Sequence, residues 1–156
     1  MIYIISSPPG SDKTSALFQW LAKNPDADGV LQPVVDETRF YYLISTKSLV
    51  MTGSMGNNLP DNEPVFNENC KRAADHLTAC LAAGRNTVII DGYGLAESTV
   101  GGLRNAVDSL IGEFRHSRER SLLVVVNSEA VEVFISDYQF KEGEYMFARI
   151  IDSILK

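Results

Sequence analysis

The first fifteen residues constrain the fold more than any other stretch of this chain. Residues 2–5, Ile-Tyr-Ile-Ile, form a short apolar run suited to a strand. Ser7-Pro8-Pro9-Gly10-Ser11-Asp12 then makes a tight turn, and Lys13-Thr14 opens the amphipathic run Ala16-Leu17-Phe18-Gln19-Trp20-Leu21. A strand, a loop of small residues, a Lys-Thr pair and a helix, in that order, suit one task. Loop N–H groups and the helix N-terminus cradle phosphates, the lysine neutralises them, and the hydroxyl holds Mg²⁺. In this reading Pro9, Gly10, Ser11, Asp12, Lys13, Thr14 and Ser15 are the phosphate-contacting residues.

The loop is damaged where its chemistry is most demanding. Aligned on Lys13, the pattern G-x-x-x-x-G-K-[ST] has Ser7 at the first glycine and Asp12 at the glycine before the lysine. That second glycine normally lets the backbone approach the phosphates closely. Asp12 brings bulk and a negative charge to a place meant for a polyanion. The cost is large if the carboxylate faces inward, and much smaller if it turns to solvent or pairs with Lys13. The bland alternative is that Ser11-Asp12 simply caps an ordinary helix.

A chain of 156 residues is expected to be one domain, 1–156, with a real core. At 45% hydrophobic and 22% charged residues its composition is that of an ordinary globular protein. A formal charge of −6 argues against a general affinity for nucleic acid or anionic membrane. No apolar window is long enough to span a bilayer, and the N-terminus lacks the pattern of a signal peptide, so a cytoplasmic location is expected. Cys70 and Cys80 fall in one predicted helix, ten residues or ~15 Å apart, beyond disulfide reach. With no CxxC or Cys/His ligand spacing, a structural zinc is not expected, and His76 and His116 read as isolated.

Further along, 30–35, 38–45 and 47–51 read as antiparallel strands, and 53–63 as a polar loop and candidate lid. A helix over 65–83, with Asp61 or Asn62 as its cap, is carried by Phe66, Cys70, Ala73, Ala74, Leu77, Cys80 and Leu81. A second over 100–114 is carried by Leu103, Ala106, Val107, Leu110, Ile111 and Phe114. Residues 121–127 are apolar on both faces and read as a central parallel strand. Residues 129–138 read as a short helix, and 142–156 as a last helix with Phe147, Ile150, Ile151, Ile154 and Leu155 on one stripe. The run 87–91 is a strand ending in Asp91. A carboxylate there points into the crevice where parallel α/β sheets bind ligands, and with Thr14 it forms a candidate Mg²⁺ pair. The elements predict a three-layer α/β fold whose centre holds 2–5, 87–91 and 121–126 side by side, with an antiparallel β flank.

At this point the chain resembles the small P-loop nucleoside triphosphatases first described from thermophiles and found also in animals. The residues that carry the resemblance are 2–14, the turn Asp28-Gly29 with the β segment to Met51, the Ala-rich helix 66–83, Val88-Ile89-Ile90-Asp91-Gly92-Tyr93-Gly94, and the pieces 100–114 and 122–126. The resemblance implies a mostly parallel P-loop NTPase-like sheet, with Mg²⁺ and ATP or GTP as ligands if the site works. It also implies an acid directly after Asp91 to activate the attacking water, where this chain has Gly92. Glu97, a few residues on, is the candidate substitute and candidate catalytic residue. Nothing separates Arg72, Arg104, Arg115, Arg118 or Arg120, any of which could supply a transition-state arginine, from solvated charges.

Two functions remain open on the sequence, beside a fold-only coincidence with an unrelated ligand. One is a degenerate nucleotide- or phosphate-binding domain with little or no hydrolysis, a pseudoenzyme. The other is a slow Mg²⁺-dependent nucleoside-triphosphate hydrolase or phosphoryl transferase using Lys13, Thr14 and Asp91. No base-reading element and no protein partner can be named, and restoring a glutamate at 92 and a glycine at 12 is expected to restore chemistry and binding respectively.

Overall fold

The structure, a computed structural model, describes residues 1–8, 12–54, 63–99 and 101–148. Pro9, Gly10 and Ser11, residues 55–62 of the lid candidate 53–63 with the caps Asp61 and Asn62, and the stripe beyond 148 lie outside these described residues.

Strand β1 (Ile2–Ser7) leads into helix α1 (Lys13–Lys23), followed by β2 (Asp28–Leu31), β3 (Val34–Val35), β4 (Thr38–Leu43) and β5 (Ser48–Ser54). Helix α2 (Glu63–Ala82) precedes β6 (Thr87–Tyr93), the short α3 (Leu95–Thr99) and α4 (Gly101–Phe114). Then come β7 (Ser121–Asn127), a 3₁₀ turn (Ser128–Ala130), α5 (Val131–Tyr138) and β8 (Tyr145–Phe147). The strands form one sheet of order β3-β4-β2-β6-β7-β1-β8, with β5 pairing β4. From β2 to β8 every pairing is parallel, and β3, β4 and β5 form the antiparallel flank.

The centre, β6-β7-β1, is built from the three runs that are apolar on both faces. Alternate side chains of one run must face opposite layers. Ile2, Ile4, Val88, Ile90, Leu122, Val124 and Val126 pack under α2, α4 and α5. Ile5, Ile89, Leu123 and Val125 pack under Leu17 and Trp20 of α1 on the other face. The six residues predicted for the face of 100–114 are all buried, and so are Cys70, Ala73, Ala74, Leu77 and Cys80 of α2. The helical period therefore identified both inner faces correctly.

Two predicted elements are corrected. The run 30–35 is not one strand. It breaks at Gln32-Pro33, because proline has no N–H for the ladder. Over residues 142–148 the chain forms not the predicted helix but a turn and then β8, which pairs with β1 in the register Ile2↔Tyr145 and Ile4↔Phe147. Gly143, at φ +87°, breaks the chain direction where that helix should begin. Pairing with β1 then satisfies backbone groups a bare edge would leave open, with Ala148 N donating to the Ile4 carbonyl at 2.9 Å. Of the predicted stripe, Phe147 lies in this edge strand.

Candidate phosphate and metal site

The site lies at the carboxyl ends of β1 and β6, where α1 begins. Asp91 continues the alternation of Ile89 toward the α1 face and meets Thr14 there. Thr14 Oγ1 donates to Asp91 Oδ2 at 2.6 Å, and Gln32 N donates to the same oxygen at 3.0 Å. Because Pro33 interrupts the flank, the Gln32 amide is free of the ladder and is spent on this carboxylate. Asp91 is 4% exposed, and burial pushes its carboxyl up from the ordinary range, with the Asp12 charge adding to the shift. Its Oδ1 takes no hydrogen bond from a described residue. A hydroxyl beside a buried carboxylate is the hard, oxygen-based donor pair that Mg²⁺ favours, so the residues fit that ion. The sequence reading brought Thr14 and Asp91 together across 77 residues of chain, and the fold does the same.

Asp12 resolves the conflict in the loop. Its side chain is exposed, and Oδ1 accepts the Ser15 backbone N–H at 3.0 Å, the geometry of a helix N-cap. This hydrogen bond holds the Asp12 carboxyl below its ordinary value. The carboxylate thus occupies the positive end of α1, the place an incoming phosphate would use. Lys13 stands half-buried on the first turn and forms no ion pair among the described residues, so Asp12 is not neutralised by it.

Beyond Asp91, β6 bulges: Ile90 pairs with Val124, but Tyr93 pairs with Val126. Gly92 sits in this bulge at φ +78°. A Cβ there would lie 2.1 Å from Gln32 Oε1, so the Gln32 side chain fills the space over residue 92. Gln32 is the residue the sequence reading missed. Its signal was local, a polar residue before Pro33 at the end of a buried strand, but nothing in the sequence tied it to Gly92.

Glu97, on α3, is 4% exposed. Its Oε2 accepts the Gly94 N–H at 3.1 Å, and its Oε1 faces Gln32 Nε2 at 3.4 Å. Gly94 has to be small, since a Cβ would meet Asn127 Nδ2 at 2.4 Å and Glu97 Oε2 at 3.1 Å. Burial raises the Glu97 carboxyl above its ordinary value. The folded state therefore holds this proton to higher pH than the unfolded chain. Stability is full below the ordinary carboxylate range and falls as pH rises through the raised value. We expect Glu97→Gln to gain about 0.5–2 kcal/mol over wild type at neutral pH. The gain should vanish near pH 4, as read by denaturant titration at both pH values. Burial first pushes the thiols of Cys70 and Cys80 up to about 12.

No family model matches this chain, and no curated protein matches it. Among solved structures, the crystal structure of THEP1 from the hyperthermophile Aquifex aeolicus aligns with a TM-score of 0.70. The alignment covers 99% of this chain and 92% of that one, at 16% sequence identity. The fold is the P-loop NTPase-like fold. At this identity the likeness to THEP1 establishes the architecture, and the roles of individual side chains rest on the geometry above. No helix among the described residues is long and apolar enough to cross a membrane.

Proposed function

We propose that this chain is a phosphate- or nucleotide-binding domain of the P-loop type with little or no hydrolysis. The observation that carries this reading is the 2.6 Å contact between Thr14 and Asp91 at the head of α1, with Asp12 capping the same helix. Lys13 would neutralise a terminal phosphate, and Thr14 and Asp91 would hold Mg²⁺, which when bound screens charge on the phosphates. Asp12 opposes that polyanion, and Gly92 offers no carboxylate to orient a water.

A slow hydrolase is the second reading, and one observation favours it. The Gln32 amide stands over Gly92 and faces the buried Glu97 carboxylate. A glutamine can position an attacking water by hydrogen bonds without taking its proton, and Glu97 would hold that amide in place.

Calorimetry with Mg²⁺ and ATP, GTP or inorganic triphosphate, paired with a phosphate-release assay, separates the readings. We expect weak, Mg²⁺-dependent binding that Lys13→Ala abolishes, with release at the uncatalysed rate. Release well above that rate, lost in Lys13→Ala and in Gln32→Ala, would establish the hydrolase. No binding of any of the three ligands would remove both readings.

A further inference from the structure

At the opposite end of β2 from the candidate site, a second cluster forms around Asp28. His76 and Cys80 stand four residues apart on α2, so both side chains project from one helix face. Asp28, the first residue of β2, meets them from the sheet. His76 Nε2 lies 2.9 Å from Asp28 Oδ1, and the thiol, imidazole and carboxylate donor atoms all fall within 4.8 Å of one another. The three residues are 3%, 8% and 1% exposed. We propose that Asp28, His76 and Cys80 form a binding site for a divalent transition-metal ion of the zinc class.

The donor set is the first reason. One thiolate, one imidazole nitrogen and one carboxylate oxygen suit Zn²⁺, which takes all three at tetrahedral positions, and they suit Mg²⁺ or Ca²⁺ poorly. Two ligands at i and i+4 on a helix, with a third from a separate element, is a spacing zinc sites use. The surroundings are the second reason. The Gly29 and Ser45 backbone N–H groups hold Asp28 Oδ1 at 2.8 and 3.1 Å, and Arg85 Nε stands 3.4 Å from Oδ2. Such outer contacts fix the orientation of a ligating carboxylate. The Arg85 side chain, 38% exposed, runs from the cluster to the surface. On binding, the Cys80 thiol proton leaves to solvent and the imidazole proton moves from Nε2 to Nδ1. The ion then takes the place of the proton between Asp28 and His76. The Cys80 thiolate adds its negative charge to that of Asp28, which also faces Arg85, leaving one net positive charge at the cluster. The sequence reading sought ligands at short local spacing. It passed over the His76 and Cys80 pair, which does stand at helical ligand spacing, and the third ligand lies 48 residues before His76.

The test uses the full chain stripped of metal. Zn²⁺ is titrated in competition with a chromophoric chelator, and Co²⁺ is added to a parallel sample for its absorption spectrum. We expect one equivalent of Zn²⁺ to bind, and Co²⁺ to show a thiolate-to-metal charge-transfer band with tetrahedral ligand-field bands. Cys80→Ser should erase the charge-transfer band, and His76→Gln should weaken Zn²⁺ binding by about 100-fold or more. Cys70→Ser, removing the other buried thiol, and Asp91→Asn, in the candidate Mg²⁺ pair, should change neither. Wild-type protein that takes up no stoichiometric Zn²⁺, or whose Co²⁺ spectrum lacks the thiolate band, overturns the proposal without reference to any variant. So does unchanged binding in a folded Cys80→Ser protein.

Discussion

Replacing Asp12 by glycine is expected to raise the affinity for a nucleoside triphosphate on the order of tenfold or more, while lowering the stability of the fold. Both effects come from one carboxylate. It accepts the Ser15 N–H and so stabilises the start of α1. In doing so it places a negative charge at the helix end that would otherwise attract phosphate. Its charge also reaches the buried Asp91, adding to the upward shift that burial imposes on that carboxyl. Removing it frees the Ser15 donor, relieves repulsion of the triphosphate and eases ionisation of Asp91. Asp12→Ser separates the two roles, because serine caps a helix well but carries no charge. We expect Asp12→Ser to keep the wild-type melting midpoint and gain most of the affinity, and Asp12→Gly to gain affinity with a lower midpoint. Calorimetry with Mg²⁺ and ATP or GTP reads the first quantity and thermal denaturation the second. Unchanged affinity in a folded Asp12→Ser protein would show that something other than this carboxylate limits binding.

The second large effect is at Gly92. The resemblance to thermophile-type NTPases suggests that a glutamate there should restore water activation. The structure predicts the opposite for the single change. A side chain at φ +78° is strained by about 1–3 kcal/mol. Its Cβ would also lie 2.1 Å from Gln32 Oε1, and displacing that side chain costs a further 1–3 kcal/mol or so. Gly92→Glu should therefore lower the melting midpoint by roughly 5–15 °C, with no gain in phosphate release. Gly92→Glu with Gln32→Ala should recover the steric part of the loss and leave the backbone strain. A Gly92→Glu protein as stable as wild type, with release well above background, would mean that the bulge of β6 adapts and that Gln32 is no obstacle.

Much of the architecture was legible because it follows from period and polarity. The three central strands read correctly because a run apolar on both faces has nowhere to go but the middle of a covered sheet. The faces of α2 and α4 read correctly because burial selects positions at helical spacing, and Cys70, Leu77, Leu103 and Phe114 all follow it. Residues 142–148 misread because Phe147 fits a helical stripe as well as an edge strand. Local spacing cannot weigh the open edge of β1 against a helix. Gly143 was the one local sign of the break.

For the candidate site, the sequence by itself determined which side chains were available: Lys13 and Thr14 at a helix start, and Asp91 at a strand end. It also determined which were missing, the loop glycine replaced by Asp12 and the acid replaced by Gly92. These are facts about residue type in a known order, and the order of elements is enough to read them. Tertiary structure alone decided that the Asp12 carboxylate turns to cap α1. It alone put Gln32 over Gly92 and drew Asp28, His76 and Cys80 into one cluster. The physical reason is the same in each case. Where a polar side chain points depends on which backbone donors and neighbours reach it across the sheet, and those are set by packing between segments tens of residues apart.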